Sequence, residues 1–266
     1  MIAKPRDAAT LILMRDTKRT RTGFEILLVR RHTKSPFAPG AYVFPGGRIE
    51  AADYTRQADR ICHGLNFKQA QDIIAGTHPP EKALAFFVAA IRETFEEAGI
   101  LLAYRKIPEF VALGEDEKKR FAKYRKEVRK DPFSFIKIIA KERLKLATEK
   151  LFYFARWITP ELSPIRFDAR FFVAAVPAKQ EALEDEFETT AHMWISPKKL
   201  LKEQKRGLPV PFATLSNVTV LAQFRNVDEV IASTRNKVIP AILPIITTED
   251  VKMSGLSDSE LGVRVF

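Results

Sequence analysis

The chain has 266 residues and a formal net charge of +11, and 46% of its residues are hydrophobic. That length suits one elaborated domain with a real core, and the charge favours polyanionic partners (phosphorylated small molecules, nucleic acid or an acidic membrane surface) without choosing among them. The single Cys62 excludes an internal disulfide, no apolar run approaches a membrane span, and MIAKPRDAAT shows no secretory signal, so a soluble cytoplasmic protein is expected.

Ala8–Met14 (AATLILM) and Phe24–Arg31 (FEILLVRR) are apolar, β-branched runs around the polar DTKRTRTG, and they predict a β-hairpin. Ser35–Gly47 is punctuated by Pro and Gly; AYVF within it predicts a brief strand ending at Pro45, and PGG a turn. Asn66–Gly76 predicts a helix with an asparagine N-cap and a terminal glycine, and Pro79–Gly99 a longer one. DEKKRFAKYRKEVRK and DPFSFIKIIAKERLKLATEKL both predict helix, adding a helical segment at about 115–150. The basic runs Glu115–Lys130 and Ser196–Arg206 read as solvated helix faces. LFYFARWIT, ARFFVAAVP and MWISP predict strands, and SPKKLLKEQKRG a helix. Strands interleaved with helices and hairpins indicate an α/β or α+β fold.

The stretch RETFEEAGI, Arg92–Ile100, crowds Glu93, Glu96 and Glu97 into the end of the Pro79–Gly99 helix. On a helical wheel Leu84, Phe87, Val88, Ile91, Phe95 and Ala98 share one face, and the glutamates converge on the other. Like charges at this spacing cost roughly 0.2–0.5 kcal/mol per pair. Carboxylates in a last turn also oppose the helix dipole, by about 0.3–1 kcal/mol each. One arginine, Arg92, stands against three carboxylates. A bound hard cation, Mg²⁺ or Mn²⁺, would neutralise them; the other reading is a solvated acidic face on a well-packed helix. Gly99 is placed for a left-handed C-terminal cap, with Ile100 packing back on the last turn.

Arg92, Glu93, Glu96, Glu97, Gly99 and Ile100 resemble the second half of the Nudix box, with Thr94 in place of an apolar residue. VFPGGRIEAAD supplies Gly46 and Gly47 for the first half. Counted from Gly47, the box would put Glu at 53 and Arg at 61; the chain has Asp53 and Ile61, and the arginine falls 31 residues later. An interrupted box resembles the Nudix subgroup that includes the mammalian peroxisomal coenzyme A diphosphatases. So do ILLVRRHTKSPFAPGAYVFPGG, AAIRETFEEAGILLA, WITPELSPIRFDARFFVAAVP and MWISPKKLL.

The resemblance implies an α/β/α sandwich with a mixed sheet over residues 1–266, extra helices, and a helical insertion at about 54–84. That insertion is open as a lid, a specificity wall or a homodimer contact. The implied chemistry is metal-dependent hydrolysis of a diphosphate, with coenzyme A or acyl-CoA as first substrate, giving 3′,5′-ADP and 4′-phosphopantetheine. ADP-ribose, dinucleotides and capped RNA are alternatives, as is a nucleotide- or RNA-binding module without catalysis. Glu96 and Glu97 would hold Mg²⁺ or Mn²⁺, with Glu93 as ligand or base and the Gly46 carbonyl as a further ligand. Arg92 would orient Glu93 or Glu96. Either Asp53 or Glu81 would stand for the box's first glutamate. Glu184, Glu186 and Glu188 are candidates for a ligand or base from a distant loop. Arg30, Arg31 and Arg48 are candidate phosphate contacts. Cys62 and His63 lack the further ligands a zinc site needs.

Overall fold

Strand β1 (Arg6–Asp16) alternates its side chains between two cores. Ala9, Leu11 and Leu13 enter one hydrophobic cluster, and Ile12 and Met14 the other. The computed structural model describes residues 2–17, 23–54, 56–183, 189–245 and 264–265. In chain order β1 is followed by β2 (Phe24–Arg31), β3 (Tyr42–Val43) and β4 (Gly46–Arg48), a 3₁₀ turn at Ala51–Tyr54, and α1 (Arg56–Ile61). Next come β5 (Cys62–His63), α2 (Phe67–Ile73), α3 (Pro80–Ala98), β6 (Ala103–Lys106) and β7 (Glu109–Phe110). Helices α4 (Glu115–Lys130) and α5 (Phe133–Lys141) lead to β8 (Lys145–Ala147), β9 (Phe152–Ile158), β10 (Phe167–Ala175) and β11 (Thr189–Ile195). The described chain closes with α6 (Pro197–Gln204), α7 (Phe212–Leu221), α8 (Val227–Ser233), β12 (Ala241–Leu243) and β13 (Arg264–Val265).

The large sheet runs β11-β2-β1-β10-β9-β12-β13, with β3 on β2 and β4 on β1. It is mixed: β1 pairs β10 in parallel and β10 pairs β9 antiparallel. One face packs on α3, and the other on apolar residues of α6, α7 and α8 such as Leu200, Val218 and Val230. The mixed sheet between helical layers is the architecture expected. A second, small sheet, β5-β8-β6-β7, was not anticipated.

The expected β1–β2 hairpin is found, pairing Met14–Asp16 with Phe24–Ile26; β4 pairs Ala8–Thr10, and β10 pairs Arg6–Met14 in parallel. Two expectations need correction. The PGG segment is more than a turn, because Gly46–Arg48 pairs antiparallel with Thr10–Ala8. The predicted helix through residue 150 stops at Lys141: Arg143 adopts φ 52, a left-handed conformation that ends a helix, and Leu146 and Ala147 then pair into the small sheet. The insertion supplies α1, β5 and α2, which pack toward α3 and the small sheet. Among the described residues, no helix is long and apolar enough to cross a membrane.

Candidate active site

Helix α3 ends as its sequence predicts, with Gly99 left-handed at φ 69 and its N–H on the Phe95 carbonyl. The acidic face is nevertheless not solvated: Glu96 and Glu97 are 7% and 4% exposed. Strand β4 and the 3₁₀ turn lie across that face, whereas a helical wheel assumes that one side meets water. Gly47 makes this closeness possible, since a Cβ there would sit 2.5 Å from Glu93 Cδ; at Gly46 it would sit 2.6 Å from the Ala9 carbonyl oxygen.

Arg92, 2% exposed, is the centre of the cluster. Its Nε and Nη2 each donate to one oxygen of Asp53 at 2.9 Å. Nη1 donates to Glu93 at 2.9 Å and to Glu96 at 2.7 Å, and Nη2 also reaches the Arg48 carbonyl at 3.0 Å. All five guanidinium N–H groups thus have acceptors. Glu97 accepts the Gly46 N–H at 3.0 Å. Asp53 is therefore a buried partner of Arg92. Glu81 lies in the first turn of α3, about 18 Å along the helix from Glu93 at 1.5 Å per residue, and does not join the cluster.

Three carboxylates, those of Asp53, Glu93 and Glu96, thus bond the Arg92 guanidinium. Burial pushes the Glu93 carboxyl up to about 7; Arg92 opposes this, and Glu96 and Asp53 reinforce it. Burial also works against the Arg92 charge, but Glu93, Asp53 and Glu96 outweigh it and raise the Arg92 pKa further. Among the described residues, no three His, Cys, Asp or Glu side chains form a ready-made metal cage, since Glu93 and Glu96 each turn an oxygen to Arg92 and Glu97 one to Gly46. The donor set itself fits a hard divalent cation: it is all oxygen, with Glu93, Glu96 and Glu97 lining one cleft.

The turn opens into a cleft of about 900 Å³ whose wall includes Glu93, Glu96 and Glu97. Arg6, Arg31, Lys34, Arg48 and Arg129 contribute positive charge to the same cleft, and Phe37, Trp157, Phe167 and Phe212 an aromatic half. The Trp157 indole donates to Asn217 Oδ1 at 3.2 Å and meets Phe212 edge-on at 5.8 Å, so its ring is fixed from behind. Arg31 is in the cleft wall with Nε on the Phe37 carbonyl at 2.9 Å, and Arg48 is there with Nη2 3.2 Å from Glu50. Arg30 is not in that wall. Adjacent strand residues face opposite ways, and its Nε turns to the Gly40 carbonyl at 3.3 Å. Among the described residues, none of 54–84 lines that wall, so the lid and specificity-wall readings of the insertion find no support in this geometry. Glu184, Glu186 and Glu188 lie outside the described residues; Leu183, just before them, donates its N–H to the Ala98 carbonyl at 2.8 Å.

The sequence reading missed Arg125 and Arg129 of α4, which donate to the Glu96 carbonyl. A signal was present: Arg125 lies four residues after Phe121 and three before Val128, both buried, so it falls in the apolar stripe of a helix otherwise read as a solvated charge run.

This arrangement, with a carboxylate turn on a helix, a glycine pair on a facing strand and a cleft beside a mixed sheet, defines a Nudix-type site. The NUDT19 Nudix domain model matches residues 5–83 and 66–208, and the chain belongs to that family. Two similar relatives are named acyl-coenzyme A diphosphatase NUDT19. The Xenopus laevis protein is 29% identical over 237 residues, covering 77% of this chain and 62% of that protein. The Homo sapiens protein is 32% identical over 206 residues, covering 66% and 54%. The chain thus spans less than two thirds of these relatives' length. A Nudix hydrolase from Alicyclobacillus acidocaldarius has a similar structure, at 25% identity and TM-score 0.71, over 87% of this chain and 97% of that one.

Proposed function

We propose that this protein is a metal-dependent diphosphate hydrolase acting on coenzyme A or its acyl esters, with water added across the P–O–P link to give 3′,5′-ADP and the 4′-phosphopantetheine part. The observation that carries the reading is the buried carboxylate turn of α3 opening into one cleft with arginines and aromatic rings. The activity named for the relatives supports it.

In this reading Glu96 and Glu97 hold Mg²⁺ or Mn²⁺, with Glu93 and the Gly46 carbonyl as further candidate ligands. When bound, such a cation neutralises diphosphate oxygens and lowers the pKa of coordinated water. The chain supplies the rest. Arg92 holds one oxygen of Glu93 and one of Glu96 in fixed directions, so it acts on the carboxylates and not on substrate. Glu93, raised toward neutrality, is suited to take a proton if the second-loop glutamates do not. Arg31 and Arg48 offer planar donors that match phosphate oxygens, and Arg6 and Lys34 add charge for a third phosphate. Trp157, Phe212 and Phe167 give the base or the acyl-pantetheine arm an apolar surface.

The test is a panel of coenzyme A, acetyl-CoA, ADP-ribose, NADH and capped RNA with Mg²⁺ or Mn²⁺, comparing the natural chain with Glu97→Gln. Cleavage of the two coenzyme A compounds is expected. Glu97→Gln should reduce turnover by at least about a hundredfold, the upper end of what loss of a mere outer-shell partner costs. Turnover unchanged in Glu97→Gln would overturn the metal assignment. Preference for ADP-ribose or capped RNA would move the substrate, and no cleavage at all would favour a binding module.

A further inference from the structure

Two arginines of α4 meet the end of α3. Arg125, 7% exposed, donates to the Glu96 carbonyl from Nε at 3.2 Å and from Nη2 at 3.0 Å. Arg129 donates from Nη2 to the same oxygen at 3.2 Å. Four residues apart, they share one face of α4. The last carbonyls of a helix have no partner within it. Here the Phe95 carbonyl takes the Gly99 N–H and the Ala98 carbonyl takes the Leu183 N–H, while the Glu96 carbonyl is given to α4. Three charged donors on one oxygen exceed what its hydrogen-bonding capacity requires. They add two cations at the negative end of the helix dipole.

Glu96 is therefore held from both sides, its carboxylate by Arg92 at 2.7 Å and its carbonyl by α4. Its neighbour Glu97 is tied to Gly46. Arg129 and both glutamates line the same cleft. We infer that Arg125 and Arg129 are positioning residues: they clamp the last turn of α3 so that Glu96 and Glu97 meet a divalent cation with little rearrangement. This rests on the reading above that those glutamates hold the cation. Arg120, on the same helix, provides a contrast, because its Nε and Nη2 pair with Glu142 at 2.9 and 3.1 Å instead of with α3.

The test measures the Mn²⁺ dissociation constant of the full chain by electron paramagnetic resonance of the free ion, with circular dichroism as a check on folding. Arg125→Gln should weaken Mn²⁺ binding by about tenfold or more, the range typical for lost outer-shell partners. Arg125→Lys should recover only part of this, because an ammonium keeps the charge but not the planar pair of donors. Arg129→Gln should weaken binding by a smaller factor, and as a half-buried site it decides the matter if Arg125→Gln does not fold. Arg120→Gln should lower the thermal midpoint and leave Mn²⁺ affinity unchanged. If Arg125→Gln and Arg129→Gln bind Mn²⁺ normally while Glu97→Gln does not, the clamp is overturned and the cation site stands. Equal weakening by Arg120→Gln would also overturn it, by tracing the effect to α4 stability. Normal Mn²⁺ binding by Glu97→Gln would remove the cation site and the clamp together.

Discussion

The two ends of α3 both bury charge, and they do so differently. Near its first turn, Lys82 pairs with Asp7 at 2.6 Å, and Arg170 reaches Asp7 at 3.1 Å and Asp168 at 3.0 Å. Arg156 grips Asp168 with two bonds of 2.9 and 2.7 Å. Three cations thus face two carboxylates. Burial pushes the Asp168 carboxyl up, but its hydrogen bonds to Arg156 and the nearby arginine charges prevail and hold it below the usual range. At the last turn Arg92 bonds Asp53, Glu93 and Glu96, and Glu93 is pushed up instead of down. The first network joins β1, β9 and β10 to α3 with more cations than carboxylates. The second gathers three carboxylates on Arg92. Burial and ion pairing alone therefore do not distinguish the two ends. Their place does: Glu93, Glu96 and Glu97 line the cleft, and Asp7 and Asp168 do not.

The largest effect should come from removing the hub of the second network. Arg92→Met leaves Asp53, 1% exposed, without its charge partner, and breaking a buried pair in this way typically costs about 3–5 kcal/mol. Arg156→Met removes a partner from a network that still contains Arg170, and Arg156 is itself 29% exposed, so its loss should be well under half of that. Urea unfolding of both variants in EDTA measures the difference. Equal losses would mean that the two ends depend on their arginines alike.

A cation should separate the ends next. At a free Mn²⁺ concentration of about a hundred times its dissociation constant, binding to the folded state alone adds about 2.7 kcal/mol. The natural chain and Asp168→Asn should both show this gain, and Glu97→Gln should not. A gain of similar size in Glu97→Gln would place the cation elsewhere in the molecule.

What the sequence made legible at this site was local. The spacing of Arg92, Glu93, Glu96 and Glu97, the left-handed Gly99 and the helix itself depend on neighbours within a few residues, and each is found as read. Even the departure at Thr94 has a local explanation: its hydroxyl donates to the Ala90 carbonyl at 2.7 Å, so it is fully buried without an unsatisfied polar atom. What was not legible depends on distant chain. Asp53 meets Arg92 across 39 residues, most of them the insertion that docks α1 and α2 against α3. Arg125 meets Glu96 across 29 residues, from inside a charge run whose composition suggests only solvent. The cleft's aromatic half is assembled from Phe37 between β2 and β3, Trp157 of β9 and Phe212 of α7, and no single stretch announces it. Strand β4 was hidden because two glycines read as a turn, although here they let a strand pass under Glu93.

The smallest expected effect, on pH dependence, has opposite signs at the two ends. Glu93 rises from an ordinary value of 4.5 to about 7 in the folded protein. Between those values the folded state binds more protons than the unfolded one, so stability should fall as pH rises through that window, with the loss complete above about 7. Asp168 lies below its ordinary 3.8, so the stability it contributes is present above that value and disappears as pH falls through its folded pKa. In EDTA, Glu93→Gln should therefore flatten the neutral-side decline and leave the acid limb in place. Asp168→Asn should do the reverse. Urea midpoints from about pH 3 to about pH 8 separate the two limbs. Saturating Mn²⁺ should abolish the neutral-side decline in the natural chain, because a cation beside Glu93 favours its ionised form. A slope unaltered by Glu93→Gln would mean that Arg92 already balances the last turn, which would make the two ends of the helix alike after all.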